Sequence, residues 1–69
     1  MARRRRITLI YYERCSFSEG DEVTGTVDDD AGTKYVFLGK AEVRKITKES
    51  DLAKKPHLKF TVVVDHWLS

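Results

Sequence analysis

With a single cysteine, Cys15, in 69 residues, the chain can form no intrachain disulfide, and a reducing compartment is the natural setting. The same scarcity weighs against a structural zinc site. Its ligands would have to be drawn from Cys15, His57, His66 and a carboxylate, and no two of these stand at the close spacing such sites use. The four glycines are scattered, so no phosphate-cradling glycine loop is present. No apolar run approaches the roughly 20 residues needed to cross a bilayer. Basic Met1–Arg6 followed by apolar Ile7–Tyr12 has the outline of a signal peptide, but the stretch stops at Glu13-Arg14 without a small-residue cleavage site. The expectations are therefore a cytoplasmic protein with no membrane association, no metal and no cofactor. The chain lacks bulk as well. A domain this short buries only about 60% of its unfolded surface, which leaves a thin margin of stability.

What the chain has in quantity is charge, segregated in blocks. Residues 1–14 hold five arginines against one glutamate, a net +4. Residues 15–33 hold six acids and no base, a net −6, and residues 34–59 hold eight bases against three acids, a net +5. The formal total is +2, so Arg3–Arg6 alone turn a body of net −2 into a basic protein. Blocks of this kind bear on partners rather than on fold.

Period-two alternation dominates the remainder and predicts strands. Ile7, Leu9, Tyr11, Cys15 and Phe17 share one face, and Ser18-Glu19-Gly20-Asp21 reads as a turn. Val23, Gly25 and Val27 alternate with Glu22, Thr24 and Thr26, and Asp28-Asp29-Asp30-Ala31-Gly32 reads as a hairpin loop. From Thr33 to Ile46, the residues Tyr35, Phe37, Ala41 and Val43 share a parity, while Val36 and Leu38 face the other way and are expected to be covered too. Gly39 marks a bulge or a bend that splits this segment. Thr47 or Ser50 can cap a short helix that Pro56 ends. The last segment is the clearest strand, with Leu58, Phe60, Val62 and Val64 inward and Lys59, Thr61, Val63 and Asp65 outward. The reading is a mostly β fold: a small four- to five-stranded antiparallel barrel or strongly curved sheet, OB-like or similar, with one short helix near residues 48–55. A basic arm at 1–6 precedes a single β-rich domain at 7–69. A closed barrel is favoured over an open sheet, because so short a helix could not cover a sheet face.

Gly20-Asp21-Glu22-Val23-Thr24-Gly25-Thr26-Val27 followed by Tyr35-Val36-Phe37-Leu38-Gly39 resembles the opening strands of OB-type RNA-binding domains. It spans under a third of the chain, and that family's glycine-to-histidine segment after the third strand is missing here. No functional residue is carried over from it.

The basic residues supply the functional signal. Arg3, Arg4, Arg5 and Arg6 present planar donor forks suited to phosphate oxygens. Lys40, Arg44, Lys45 and Lys48 form a second set, which Lys59 joins if the last strand pairs nearby. Tyr12 beside Arg14, and Trp67 near the chain's end, are rings on which bases could stack. Each has a plainer reading: the arginines as a solubilising tail, Tyr12 as a lid on the core, Trp67 as packing. The acidic 28–30 run fails the pattern of a calcium loop, since its twelfth position is Gly39, and reads as an acidic hairpin tip. His57 and His66 have no nucleophile elbow or oxyanion loop beside them, so no catalysis is expected. The leading expectation is a non-catalytic nucleic-acid-binding barrel. RNA or single strands are favoured, because no helix is long enough to read a major groove. The alternative is a protein-interaction or assembly module, an accessory or phage-type protein, that docks on a larger protein and self-associates.

Overall fold

The computed structural model describes residues 3–50 and 58–68. These form β1 (Arg3–Tyr12), β2 (Gly25–Asp28), β3 (Lys34–Phe37), β4 (Ala41–Ser50) and β5 (Leu58–Leu68). β5 lies between β1 and β4 in a three-stranded antiparallel sheet, and β2 and β3 form a separate two-stranded hairpin. The alternation read from the sequence sets the pleat. Ile7, Leu9 and Tyr11 oppose Val64, Val62 and Phe60, and Ala41 and Val43 oppose His66 and Val64. This is the inner face, on which Leu9, Val43, Val62 and Val64 are fully buried. Val23 and Phe37 complete the core, with Cys15, Phe17, Val27 and Tyr35 packed against it.

The sheet is not closed into a barrel, contrary to the sequence reading. Closure proves unnecessary because the chain covers part of each edge by other means. Along β4, Gly20 and Val23 donate backbone hydrogen bonds to the carbonyls of Val43 and Ala41, and Val43 donates to that of Asp21. Further along, the Glu19 carboxylate accepts from the Ile46 amide at 3.0 Å. Along β1, the Asp30 amide donates to the Ile10 carbonyl at 2.8 Å. The Asp29 and Asp30 carboxylates in turn accept from the Ile10 and Tyr12 amides at 3.0 and 2.8 Å. The acidic hairpin tip is therefore a clasp on the edge of β1.

Three further expectations are corrected. The helix expected near residues 48–55 is not seen: Lys48, Glu49 and Ser50 pair with Phe60, Lys59 and Leu58 as the end of β4. A helix so short has little to offset its nucleation cost, whereas the β5 ladder offers partners at once. Residues 51–55 of that expectation lie outside the described residues. The arginine run is no separate arm, because Arg3–Arg6 are the start of β1, paired with Leu68, Trp67, His66 and Asp65. Val36 and Leu38 are exposed rather than covered, since no further described strand packs outside the two-stranded hairpin.

Gly39 does split the long third segment, but as a close approach and not as the bulge. The bulge falls between Val43 and Lys45. Among the described residues no helix is long and apolar enough to cross a membrane, and no group of three metal-binding side chains is gathered.

Tyr11 ties the hairpin loop to the core. Its ring packs against Phe17 at 5.9 Å between centroids, and its hydroxyl donates to the Asp28 carbonyl at 2.9 Å. Burial, followed by the charges of Asp29, Cys15, Asp30 and Asp28, pushes its pKa above the ordinary tyrosine value. The folded state thus holds the phenol proton more tightly than the unfolded chain. The corresponding stability is fully present below about pH 10 and is lost as pH rises from there through the raised folded value. Urea unfolding at about pH 8 and about pH 11 should show a smaller alkaline loss for Tyr11→Phe than for wild type. Equal losses would mean that Tyr11 ionises as it does in the unfolded chain.

Candidate functional site

The opposite, outer face of the three-stranded sheet gathers much of the basic charge. Pleat alternation puts Arg4, Arg6, Thr8, Ile10 and Tyr12 of β1 there, opposite Trp67, Asp65, Val63, Thr61 and Lys59 of β5. From the β4 side come Glu42, Lys45, Thr47 and Glu49, opposite Asp65, Val63, Thr61 and Lys59. Strict alternation would send Arg44 and Lys45 to opposite faces. The bulge inserts one residue and brings both basic side chains to the outer face. It also turns Ile46 inward, where it packs against the core.

Asp65 is the centre of this face. Three guanidiniums converge on its carboxylate: Arg6 Nε at 3.5 Å from Oδ1, and Arg44 Nη1 and Arg4 Nη1 at 3.5 and 4.0 Å from Oδ2. The Asp65 side chain is only 8% exposed, whereas each arginine is about half exposed. One buried carboxylate thus holds three arginines side by side and leaves the cluster with two uncompensated positive charges. Asp65 Oδ1 is buried without a hydrogen bond, so the attraction to Arg6 is ionic and leaves guanidinium donors available.

Trp67 lies beside the cluster, opposite Arg4, and the Lys40 ammonium sits 5.5 Å from its ring centroid. With the Lys40 ammonium exposed, such a cation–π contact contributes about 0.5–1 kcal/mol, so a ring-shaped ligand could displace the ammonium at small cost. Beyond the cluster, Thr8, Thr61 and Thr47 offer hydroxyls, and Tyr12 and Lys59 pair at the far end. Tyr12 stands eight residues from Arg4 along β1, roughly 27 Å at the rise of an extended strand.

Eight of the twelve residues singled out in the sequence therefore share this face: Arg4, Arg6, Tyr12, Lys40, Arg44, Lys45, Lys59 and Trp67. The other four do not. Arg3 and Arg5 have the opposite parity, across from Leu68 and His66. Lys48 lies across from Phe60 on the inner side, and Arg14 follows β1 in a bend set by Glu13 at φ 68°. Asp65 was missed as a functional residue. The available signal was an acid ending the apolar run Val62-Val63-Val64, because a charge so placed needs cationic partners. His66 is a core residue, edge-on to Phe37 at 5.1 Å, with Nε2 accepting from the Gly39 amide at 3.4 Å. No protein-family model matches this chain, and no curated protein or solved structure is significantly similar to it.

Proposed function

We propose that the outer face of the three-stranded sheet binds single-stranded nucleic acid, RNA in preference to duplex DNA, without catalysis. The observation that carries this reading is the Arg4–Arg6–Arg44 cluster held over buried Asp65 beside Trp67. Phosphate oxygens would take the exposed guanidinium donors, which Asp65 already orders, so little side-chain entropy is lost on binding. A neighbouring base would stack on Trp67, releasing the Lys40 ammonium to a phosphate. The length of the face toward Lys59 and Tyr12 suits an extended strand of several nucleotides. The Asp29 and Asp30 carboxylates of the acidic tip are engaged by the Ile10 and Tyr12 amides at the edge of β1. A cytoplasmic setting belongs to the same reading and is supported by the lone cysteine.

Fluorescence anisotropy with a labelled oligouridylate tests it. With about four phosphate contacts, raising salt from about 50 to about 200 mM should weaken binding roughly 50-fold. Arg4→Ala/Arg6→Ala/Arg44→Ala, made together with Asp65→Asn so that no buried charge is stranded, should lower the salt slope by about two. Trp67→Leu should weaken binding at least about fivefold and leave the slope unchanged. An absence of binding at about 50 mM salt, or an arginine variant that binds like wild type, refutes the reading. The alternative of docking on a larger protein draws its support from a different part of β1, its unpaired edge.

A further inference from the structure

The backbone of β1 alternates between two sides. Odd-numbered residues face β5, as the Glu13 amide continues to do in donating to the Leu58 carbonyl at 3.1 Å. Even-numbered residues point away from β5, and those toward the strand's end are taken: Ile10 donates to Asp29 Oδ2 and accepts from the Asp30 amide, and Tyr12 donates to Asp30 Oδ2. The amides and carbonyls of Arg4, Arg6 and Thr8 project from the same edge and have no hydrogen-bond partner among the described residues. An edge strand with a run of open backbone groups is a template for a further strand.

The charge on this edge selects its occupant. Arg4 and Arg6 alternate with Arg3 and Arg5, so an added strand meets positive charge on both faces. A second copy of this chain pairing through β1 would set arginines against arginines, and like charges directly opposite are destabilising. The chain's own occupant of the adjacent positions is acidic: the Asp28–Asp30 run reaches this edge through a backbone hydrogen bond and two carboxylates. We infer that the open edge of β1 from Arg4 to Thr8 accepts an extended acidic segment of a partner protein, which continues by strand addition the contact that the acidic loop begins. Main-chain hydrogen bonds to Arg4, Arg6 and Thr8 supply the register. Acidic side chains at alternate positions meet the arginines across the new ladder. The inference stands on backbone groups of the sheet's edge and does not depend on nucleic-acid binding, although both ligands would meet Arg4 and Arg6.

The test uses a fluorescein-labelled peptide of roughly eight residues that alternates glutamate with threonine or valine. Anisotropy should report binding. Amide exchange of wild type with saturating peptide should slow at Arg6 and Thr8 about tenfold relative to the free protein. Thr8→Pro removes one outward amide and leaves every charge and every β1–β5 hydrogen bond in place, a substitution that edge positions tolerate. It should weaken peptide binding about tenfold or more. Three results overturn the inference. The first is peptide binding with no slowing of exchange at Arg6 and Thr8 in wild type, a measurement that holds whether or not the proline variant folds. The second is a folded Thr8→Pro variant that binds the peptide as wild type does. The third is protection of these amides in the peptide-free protein through self-association.

Discussion

Asp29→Ala is expected to lower folding stability by about 2–4 kcal/mol, the largest effect of any single side-chain truncation outside the core. One carboxylate accepts three amides: Ile10 at 3.0 Å through Oδ2, and Ala31 and Thr33 at 3.1 and 2.9 Å through Oδ1. Two of these bonds shape the hairpin loop and the third fastens the loop to β1, so a single truncation loosens both. Hydrogen bonds to a charged acceptor contribute about 1.5–3 kcal/mol each, and the half-exposed site returns part of that as hydration of the freed amides. A chain of this length has about 3–10 kcal/mol in total, so the loss is a large share. Urea unfolding followed by the fluorescence of Trp67, the single tryptophan, measures it. Asp30→Ala is the control. It removes only the exposed bond to the Tyr12 amide and should cost about 1 kcal/mol. If Asp29→Ala costs no more than Asp30→Ala, the loop is held by its backbone alone.

Gly39→Ala is expected to cost about 2–3 kcal/mol and to disturb the basic face as well. A Cβ at Gly39 would lie 2.6 Å from the Trp67 carbonyl oxygen, a backbone atom that no rotamer change can move. The neighbouring backbone is fixed too, because the Trp67 amide donates to the Lys40 carbonyl at 2.8 Å. Relief therefore requires the link between β3 and β4 to shift away from β5. That shift carries Lys40 off the Trp67 ring and weakens the Gly39 amide's bond to His66. Gly32→Ala separates space from backbone strain. Gly32 has φ +86°, and a Cβ added there would meet nothing within 4 Å, so alanine should cost about 1–2 kcal/mol and leave the face intact. Chemical denaturation gives the two costs, and oligouridylate binding by folded Gly39→Ala gives the functional effect. A Gly39→Ala variant as stable as wild type would mean that the β3–β4 link moves freely.

The strands and their inner faces were legible because the information is local. Ile7, Leu9, Val62 and Val64 alternate with polar neighbours, and a period of two has one structural meaning in a segment too short for a buried helix. Val23 and Phe37 were placed inward for the same reason. The site was legible in composition but not in arrangement. The basic residues were visible as residue types, but whether Arg44 and Lys45 share a face depends on a bulge that no residue between Val43 and Lys45 announces. The run Lys48-Glu49-Ser50 was misread because helix propensity is weak, and here it gives way to pairing with Leu58–Phe60.

By itself, then, the sequence determined a β-rich chain with an apolar inner face, basic and acidic blocks, and no means of covalent stapling. These follow from residue type and short-range periodicity, which survive in any fold the chain adopts. Only the tertiary structure decided that the arginine run is a strand, that the acidic tip clasps the edge of that strand, and that Asp65 draws together arginines from β1 and β4. Each of these depends on which segments meet along the two edges of β1 and across β5. Such meetings are fixed by the pairing of residues 18 to more than 60 positions apart, through hydrogen bonds and charges whose partners local sequence does not name.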